Sequence, residues 1–398
     1  LERVNWRDMG PEELGSVYES LLELVPQITE GARSFGFAGG TESKGNARKT
    51  TGSYYTPDSL VQVLLDSALE PVIADTLART PTDQVAAVLD LTIVDPACGS
   101  GHFLLAAARR LAAHVARIAA GGTPSDAEYR HALRQVVGRC IFGVDVNPLA
   151  VELCRVGLWM EALEPGLPLT FLDSHIQHGN ALLGTTPELM KAGIPDAAWE
   201  ALSGDDKKVA SALKKRNKAE RTGTNEVFEF SRTLEGGTLA LRTQVQSLDA
   251  APDASVGDVA RKASTWAGIL ASLQYRAHTL AADAWCAAFV WPKRDLADPA
   301  NAELAAAAPT HLTWERLRHE PELAAPRLVE QVDALAASYR FFHWHLRFPQ
   351  VFARGGFDVV LGNPPWERVE APGAGVLRVP RRRHRQRAER RRAQEADR

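Results

Sequence analysis

Near its C-terminal end the chain reads Asn363-Pro364-Pro365-Trp366, entered through the apolar run FDVVLG at 357–362. An Asn side-chain oxygen and the backbone oxygen of the following Pro can each accept one hydrogen from a planar amino group. The nitrogen lone pair is then less committed to its ring and more nucleophilic. Neither proline has an N–H and both fix φ, so the turn is stiff and its carbonyls are aimed in advance. Trp366 offers a face on which an unstacked base can lie. The chemistry this predicts is transfer to an exocyclic nitrogen of a base. Taken alone, the tetrapeptide could equally be a proline-terminated strand end, and a second motif far upstream decides between the two.

That motif is Asp95-Pro96-Ala97-Cys98-Gly99-Ser100-Gly101, directly after the apolar run LTIV and directly before a helical stretch. Glycines at such a turn let the backbone approach a ligand, and a helix N-terminus favours a carboxylate such as a methionine tail. A dinucleotide site fits poorly, because the G-x-G-x-x-G form is missing. The acidic residue ending the next strand, Asp145, also stands more than forty positions past the loop, where a dinucleotide fold places it at about twenty. An extra helix between them accounts for the interval. At a strand's C-terminal edge Asp145 can accept two hydrogen bonds from ribose hydroxyls. The competing role is capping the helix that starts at Asn147-Pro148.

These motifs need elements to hold them. Residues 1–30 show helical spacing at Leu14, Val17, Tyr18, Leu21 and Leu22, and the Gly-, Ser- and Lys-rich stretch 31–52 reads as a loop. Thr56 and Pro57 start a helix whose expected apolar face is Leu60, Val63, Leu64 and Ala68. After a further helical stretch come strand, tight loop and helix, then a helix near 126–137, the strand CIFGVDV and the helix NPLAVELCRVGLWMEAL. Strands alternating with helices predict an α/β fold with a parallel sheet and right-handed crossovers. From about Thr186 to Tyr339 the pattern is helical and Ala-, Leu-, Lys- and Glu-rich, which predicts an insertion, and β signals resume only at FPQVFARGGFDVVLGNPPW.

Composition bounds the rest. At 398 residues, 45% hydrophobic and 24% charged, the chain has room for two or three domains and a sizeable core. No apolar run approaches the length of a membrane span, and no secretory signal is evident. Cys98, Cys140, Cys154 and Cys286 show no metal-type pairing and read as buried, reduced thiols of a cytoplasmic protein. From Arg378 onward ten Arg face three acidic residues, so with a chain total of −3 the remainder carries about −10. Nucleic-acid contact must therefore come from a local patch, the tail or a segment beyond this sequence.

The strings GSYYTP, DPACGSGHF, GVDVNPLAVELCR, HGNALLG and NPPW, in this order, resemble the motif set of the gamma-class amino-methyltransferases of DNA. LGSVYESLLE and FFHWHLRFPQVF…GFDVVLGNPPW more specifically resemble the adenine methylases fused into type IIG restriction-modification enzymes and related phage-defence methylases. The resemblance spans roughly residues 10–185 and 340–369. It implies a Rossmann-like, S-adenosylmethionine-dependent N6-adenine methyltransferase acting on a flipped adenine in double-stranded DNA. Tyr54, Tyr55, Thr56 and Pro57 match the segment that closes over the methionine part of the cofactor. Asp95, Ala97, Gly99 and Gly101 match the cofactor loop, Asp145 the ribose-binding acid, and Asn180 the residue that bonds the cofactor's adenine amino group. Asn363, Pro364, Pro365 and Trp366 match the catalytic motif. The implied mechanism is direct in-line transfer, since the Pro-Cys nucleophile of carbon-5 cytosine methylases is absent.

The division that follows is an N-terminal helical region and loop (1–50), a cofactor-binding part (51–185), a helical insertion (186–339), a catalytic part (340–369) and an Arg-rich tail (370–398). Composition changes so abruptly after Glu370 that the tail reads as disordered, out of frame or artificially ended, and the chain as truncated. The strands, base-clamping aromatic and target-recognition domain expected past Trp366 are not legible. No nuclease constellation is evident either, so a fused nuclease would lie before Leu1. His343-x-His345, expected at alternate positions of a strand, lacks the acid or Cys a metal site needs, and no metal is expected. The run KKVASALKKRNKAER at 207–221 reads as a solvated helix face rather than a phosphate contact. Two rival readings stand beside the main one: a methylase of protein glutamine or ribosomal RNA, against which the long insertion argues, and a non-catalytic cofactor-binding fragment.

Overall fold

In the computed structural model, residues 56–223 and 239–364 are described in full, together with the backbone of 25–28, 35–38 and 231–238. β1 (Val25–Ile28), in the stretch read as helical, and β2 (Phe35–Ala38), where a loop is expected, pair as an antiparallel ribbon. Phe35 and Phe37 alternate with small residues there, a β pattern that the surrounding glycines mask at the level of composition.

The helix expected at Thr56-Pro57 is α1 (Asp58–Leu64), which runs through a π turn, Leu65–Leu69, into α2 (Glu70–Arg79). Its buried stripe differs from the expected one. Val61, Leu65, Leu69 and Ile73 are fully buried at intervals of four, whereas Leu60 and Val63 are exposed. The face is thus displaced by one position from the expected one, and the π turn that follows widens the helix locally. α3 (Gln84–Leu89), capped by the Asp83 side chain, leads into β3 (Ile93–Asp95).

From β3 the chain passes through α4 (His102–Ala120) and α5 (Asp126–Arg139) to β4 (Ile141–Asp145), then through α6 (Pro148–Glu161) to β5 (Ile176–His178). α4 is alanine-rich because it is wedged between α5 and the sheet, and its Phe103, Leu104, Leu105, Leu111 and Val115 are all buried. α5 begins with a reciprocal cap, Ser125 to Glu128, which satisfies two otherwise orphaned donors.

The insertion follows. It holds α7 (Pro187–Lys191), the 3-10 turn Asp196–Trp199, α8 (Lys207–Gly223), α9 (Ser231–Ala250), α10 (Val256–Ala271), α11 (Leu273–Val290), α12 (Pro299–Ala306), α13 (His311–His319) and α14 (Pro326–Tyr339). It has its own core, centred on Trp199, Trp291 and Trp314. Each of Trp285, Trp291 and Trp314 donates its indole N–H to a backbone carbonyl, so these three rings are buried with their donors satisfied, whereas the Trp199 N–H meets no acceptor among the described residues. α8 is amphipathic: Val209, Ala210, Leu213 and Asn217 face inward and Lys207, Lys208, Lys215 and Lys218 outward.

The expected return of β structure is only partly met. Trp344–Arg347 forms α15 and Pro349–Phe352 forms α16, and the strand signal is realised only at β6 (Val359–Val360). Pro349 supplies a helical N-terminus rather than a strand. An aromatic cluster holds this return in place: Phe142 of β4 meets Phe348 at 5.5 Å and Phe357 at 5.4 Å, and Trp344 meets Phe342 at 5.1 Å.

The four sheet strands lie in the order β5-β4-β3-β6, all parallel. The chain leaves β3 for β4 on one side and comes back as β6 on the other. The edge of the sheet beyond the C-terminal end of β3 is therefore a topological switch point, where open α/β sheets bind ligands. The chain divides into one unit, Leu1–Pro365, and a second, Trp366–Arg398, that lies outside the described residues.

Candidate active site

Asp95 is the last residue of β3 and is 1% exposed. Its Oδ1 accepts from the Ala97 N–H at 2.9 Å, which bends the chain into the glycine loop. Burial pushes its carboxyl up to about 7, opposed by the Ala97 N–H and reinforced by the neighbouring charge of Asp145. Gly99 and Gly101 take left-handed φ values of 53° and 95°. The two glycines serve different ends. A Cβ on Gly101 would lie 2.7 Å from Cys154 Sγ, so this glycine lets α4 pack on α6, whereas a Cβ on Gly99 would meet nothing within 4 Å. Gly99 thus leaves open space beside its Cα at the N-terminal mouth of α4, the arrangement that admits a ligand carboxylate.

Asp145 ends β4 beside this loop. Its Oδ2 accepts from Gly99 N at 2.8 Å and its Oδ1 from Asn147 N at 2.7 Å. It is not the helix cap: Asn147 caps α6, its side chain accepting from Leu149 N at 3.0 Å. Burial raises the Asp145 carboxyl above its ordinary value, while the Asn147 and Gly99 N–H groups, His178 and Arg340 pull it down.

The Asn-Pro-Pro corner reaches the same place from β6. Leu361 N donates to Val94 O at 2.9 Å, and Gly362, at φ 151°, lies so close to Asp95 that a Cβ there would be 2.6 Å from Asp95 Oδ1. Asn363 follows immediately, and its Nδ2 donates to Thr56 Oγ1 at 3.2 Å. Segments 307 positions apart are thereby joined at the end of β3. With the nitrogen end of the amide held by Thr56, Oδ1 is its acceptor end. Pro57 sits at the N-cap of α1. Tyr54, Tyr55, Pro365 and Trp366 lie outside the described residues.

Asn180, past β5, is built into a turn: its Oδ1 accepts from Leu182 N at 3.1 Å, and its own N–H donates to Arg340 O at 2.7 Å. Of the residues singled out from the sequence, Thr56, Asp95, Ala97, Gly99, Asp145 and Asn363 converge on the edge beyond β3, Pro364 continues the same chain, and Asn180 stands further along, beyond β5. Sequence reading missed Asp358, whose Oδ2 accepts from both Thr92 N and Thr92 Oγ1 at 2.8 Å and fixes the register of β6 on β3. A lone Asp before two valines gives no signal of that. It also missed Arg340.

The chain matches the Eco57I restriction-modification methylase family over residues 139–389. It belongs to that family. The N-6 DNA methylase family matches over residues 42–192, so together the two cover the glycine loop, Asp145, Asn180, the insertion and the Asn-Pro-Pro corner. A protein of Methanocaldococcus jannaschii, named as a type II restriction enzyme and methyltransferase, is 22% identical over 92% of this chain and 30% of its own length. The adenine-specific methyltransferase PglX of Streptomyces coelicolor is 28% identical over 40% of this chain and 12% of its own length. The chain thus spans less than a third of these relatives. No solved structure matches it.

The α/β fold with its parallel sheet is that of a methyltransferase of this family. Two cavities flank the HGNALLG segment of the family's sheet. One, of about 250 Å³, is lined by His178, Tyr275, Asp283, Arg340 and His343; the other, of about 550 Å³, by Leu182, Leu239, Trp344 and Phe352. His343 and His345 are not on a strand: His343 precedes α15 and donates from Nε2 to Asp283 Oδ1 at 2.9 Å, since its Nδ1 accepts from Thr185 N. Burial first, then His343, holds the His345 imidazole down at about 4. Among the described residues no helix is long and apolar enough to cross a membrane.

Proposed function

We propose that this chain binds S-adenosylmethionine at the β3–α4 loop and methylates the N6 amino group of adenine in DNA, within a restriction-modification or phage-defence system. The observation that carries this reading is the approach of Gly362 to Asp95, which sets Asn363 beside the glycine loop instead of leaving it at a distant strand end. The site has the features such a cofactor needs: open space beside Gly99, the positive end of a 19-residue helix, and an acid at the end of the neighbouring strand. Bound there, the cofactor supplies an electrophilic methyl group on a sulfonium.

The chain's own residues do the rest. Gly99, Gly101 and Ala97 shape the loop, Asp95 buttresses it, Asp145 accepts from the ribose, and Asn180 orients the adenine end. Thr56 and Pro57, with Tyr54 and Tyr55, close over the methionine part. The Asn363 side-chain oxygen and the Pro364 carbonyl each accept one hydrogen of the target amino group, which loosens its lone pair and turns the nitrogen toward the donor. Pro365 stiffens the corner and Trp366 stacks on the base, which must leave the duplex to reach it. Residues 51–185 and 340–369 form the methylating part around the 186–339 insertion. A nuclease segment outside these residues, which the naming of the M. jannaschii relative as a restriction enzyme supports, or a target-recognition segment completes the enzyme, and it acts in the cytoplasm.

Isothermal titration of the 398-residue chain with S-adenosylmethionine tests the cofactor assignment, and saturable heat is expected. No heat refutes it. Incubation with the labelled cofactor and either duplex DNA or glutamine peptides tests the substrate: label in 6-methyladenine supports the reading, and label in peptide alone overturns it.

A further inference from the structure

We propose that Arg340, at the point where the insertion hands the chain back to the catalytic segment, is a positioning residue for the adenosine side of the cofactor site. The inference rests on the cofactor assignment above. Arg340 caps the C-terminus of α14 with φ 56° and ψ 49°, and it is the one non-glycine residue with positive φ among those described. Glycine is the residue a left-handed helix cap favours, since it alone takes that conformation without a steric cost. Arg340 bears that cost and presents a side chain that glycine lacks.

That side chain has a definite task in the geometry. Arg340 Nη1 donates to the carbonyl oxygen of Val146, the residue after Asp145. The Arg340 carbonyl accepts from Asn180 N at 2.7 Å. One residue thus grips the ends of both β4 and β5, which bear the acid and the amide assigned to ribose and adenine. His178 Nε2 shares the Val146 carbonyl at 3.1 Å, so that oxygen receives donors from two sides and the Asp145–Asn147 turn is held between them. The guanidinium is also among the charges that draw the Asp145 carboxyl down. A helical insertion that only filled space would need neither bond. Through Arg340 the insertion instead sets the spacing between Asp145 and Asn180, and so the fit of the adenosine between them.

Three variants of the full chain separate this role from a structural one. Arg340→Gly accepts the left-handed backbone and keeps the carbonyl bond to Asn180 while deleting the guanidinium. Its melting temperature is expected within about 3 °C of the parent, while S-adenosylmethionine affinity by titration falls about tenfold, the worth of one charge-assisted bond. Arg340→Lys, which still offers a cationic donor, is expected to recover affinity to within about threefold of the parent. Arg340→Asn, also tolerant of this backbone, stands in should the glycine variant fail to fold. Parent-like affinity in a folded glycine or asparagine variant overturns the proposal and leaves the cofactor assignment intact. Failure of both to fold makes Arg340 structural and also overturns it. A parent chain that binds no cofactor sinks both readings together.

Discussion

Asn363 Nδ2 donates to Thr56 Oγ1 at 3.2 Å, so the residue proposed to accept the target amino hydrogen is held by the segment proposed to cover the cofactor. Thr56→Val keeps the shape and removes the acceptor. The nitrogen end of the amide then loses the acceptor at Thr56, so methyl transfer to DNA should fall about tenfold to a hundredfold with cofactor affinity within about threefold. Asn363→Ala should cost at least about a hundredfold in the same assay. Single-turnover incorporation of labelled methyl, alongside titration, separates the two quantities. Equal loss of binding and transfer in Thr56→Val would place the residue in cofactor binding alone.

The two glycines nearest the acid should respond in opposite ways. Gly362→Ala drives a methyl to 2.6 Å from Asp95 Oδ1, and because that carboxyl is buried and held by the Ala97 N–H it should destabilise the fold by roughly 2–4 kcal/mol. Gly99→Ala meets nothing within 4 Å, so only the left-handed φ is penalised, at about 1–2 kcal/mol. Its methyl instead occupies the space proposed for the cofactor. Thermal melts and titration together should show Gly362→Ala losing stability first and Gly99→Ala losing affinity first.

Asp95 predicts a pH dependence. Its folded pKa, about 7, is raised above its ordinary 3.8, so the folded state holds the proton more tightly than the unfolded one. The associated stability is fully present below pH 4 and is lost as pH rises through 7, by an amount of order a few kcal/mol. Asp95→Asn has no such proton to lose. The melting temperature of the parent relative to Asp95→Asn should therefore drop between pH 5 and pH 8. A constant difference across that range would mean Asp95 is charged in the fold throughout.

The insertion is pinned to the catalytic segment by Asp283 and His343, both buried and bonded at 2.9 Å. His343→Ala strands the buried Asp283 side chain and should cost about 3–5 kcal/mol, whereas Asp283→Ala leaves only the His343 Nε2–H without its acceptor, Nδ1 still accepting from Thr185 N, and should cost about 1–3 kcal/mol. Urea denaturation of both variants and the double variant checks the asymmetry. A double variant no worse than His343→Ala would confirm that the two act as one pair.

Much of this was legible in residue order. The strand-loop-helix at Asp95, the strands ending at Asp145 and Val360, and the helical character of 186–339 all follow from apolar period and from turn residues that have local causes. The misses have different causes. The ribbon at 25–38 pairs near neighbours whose β pattern the glycines mask, and the face of α1 runs into a π turn at Leu65–Leu69 that composition does not signal, whereas the helices at 344–352 depend on a distant partner, the aromatic cluster around Phe142. Arg340 gave no signal, because an arginine after a helix is common and its left-handed φ leaves no trace in composition.

By itself, the sequence determined which groups exist: two stiffened carbonyl acceptors at Asn363 and Pro364, a glycine loop after Asp95, and acids and amides at strand ends, all local in the chain. Only the tertiary structure decided that they share one place. Placing β6 beside β3 rather than β5 is a choice between sheet edges made by burial and by Asp358 gripping Thr92 over 266 positions, and no local pattern encodes it. That choice brings Gly362 against Asp95 and Asn363 to Thr56, and turns separate motifs into one site.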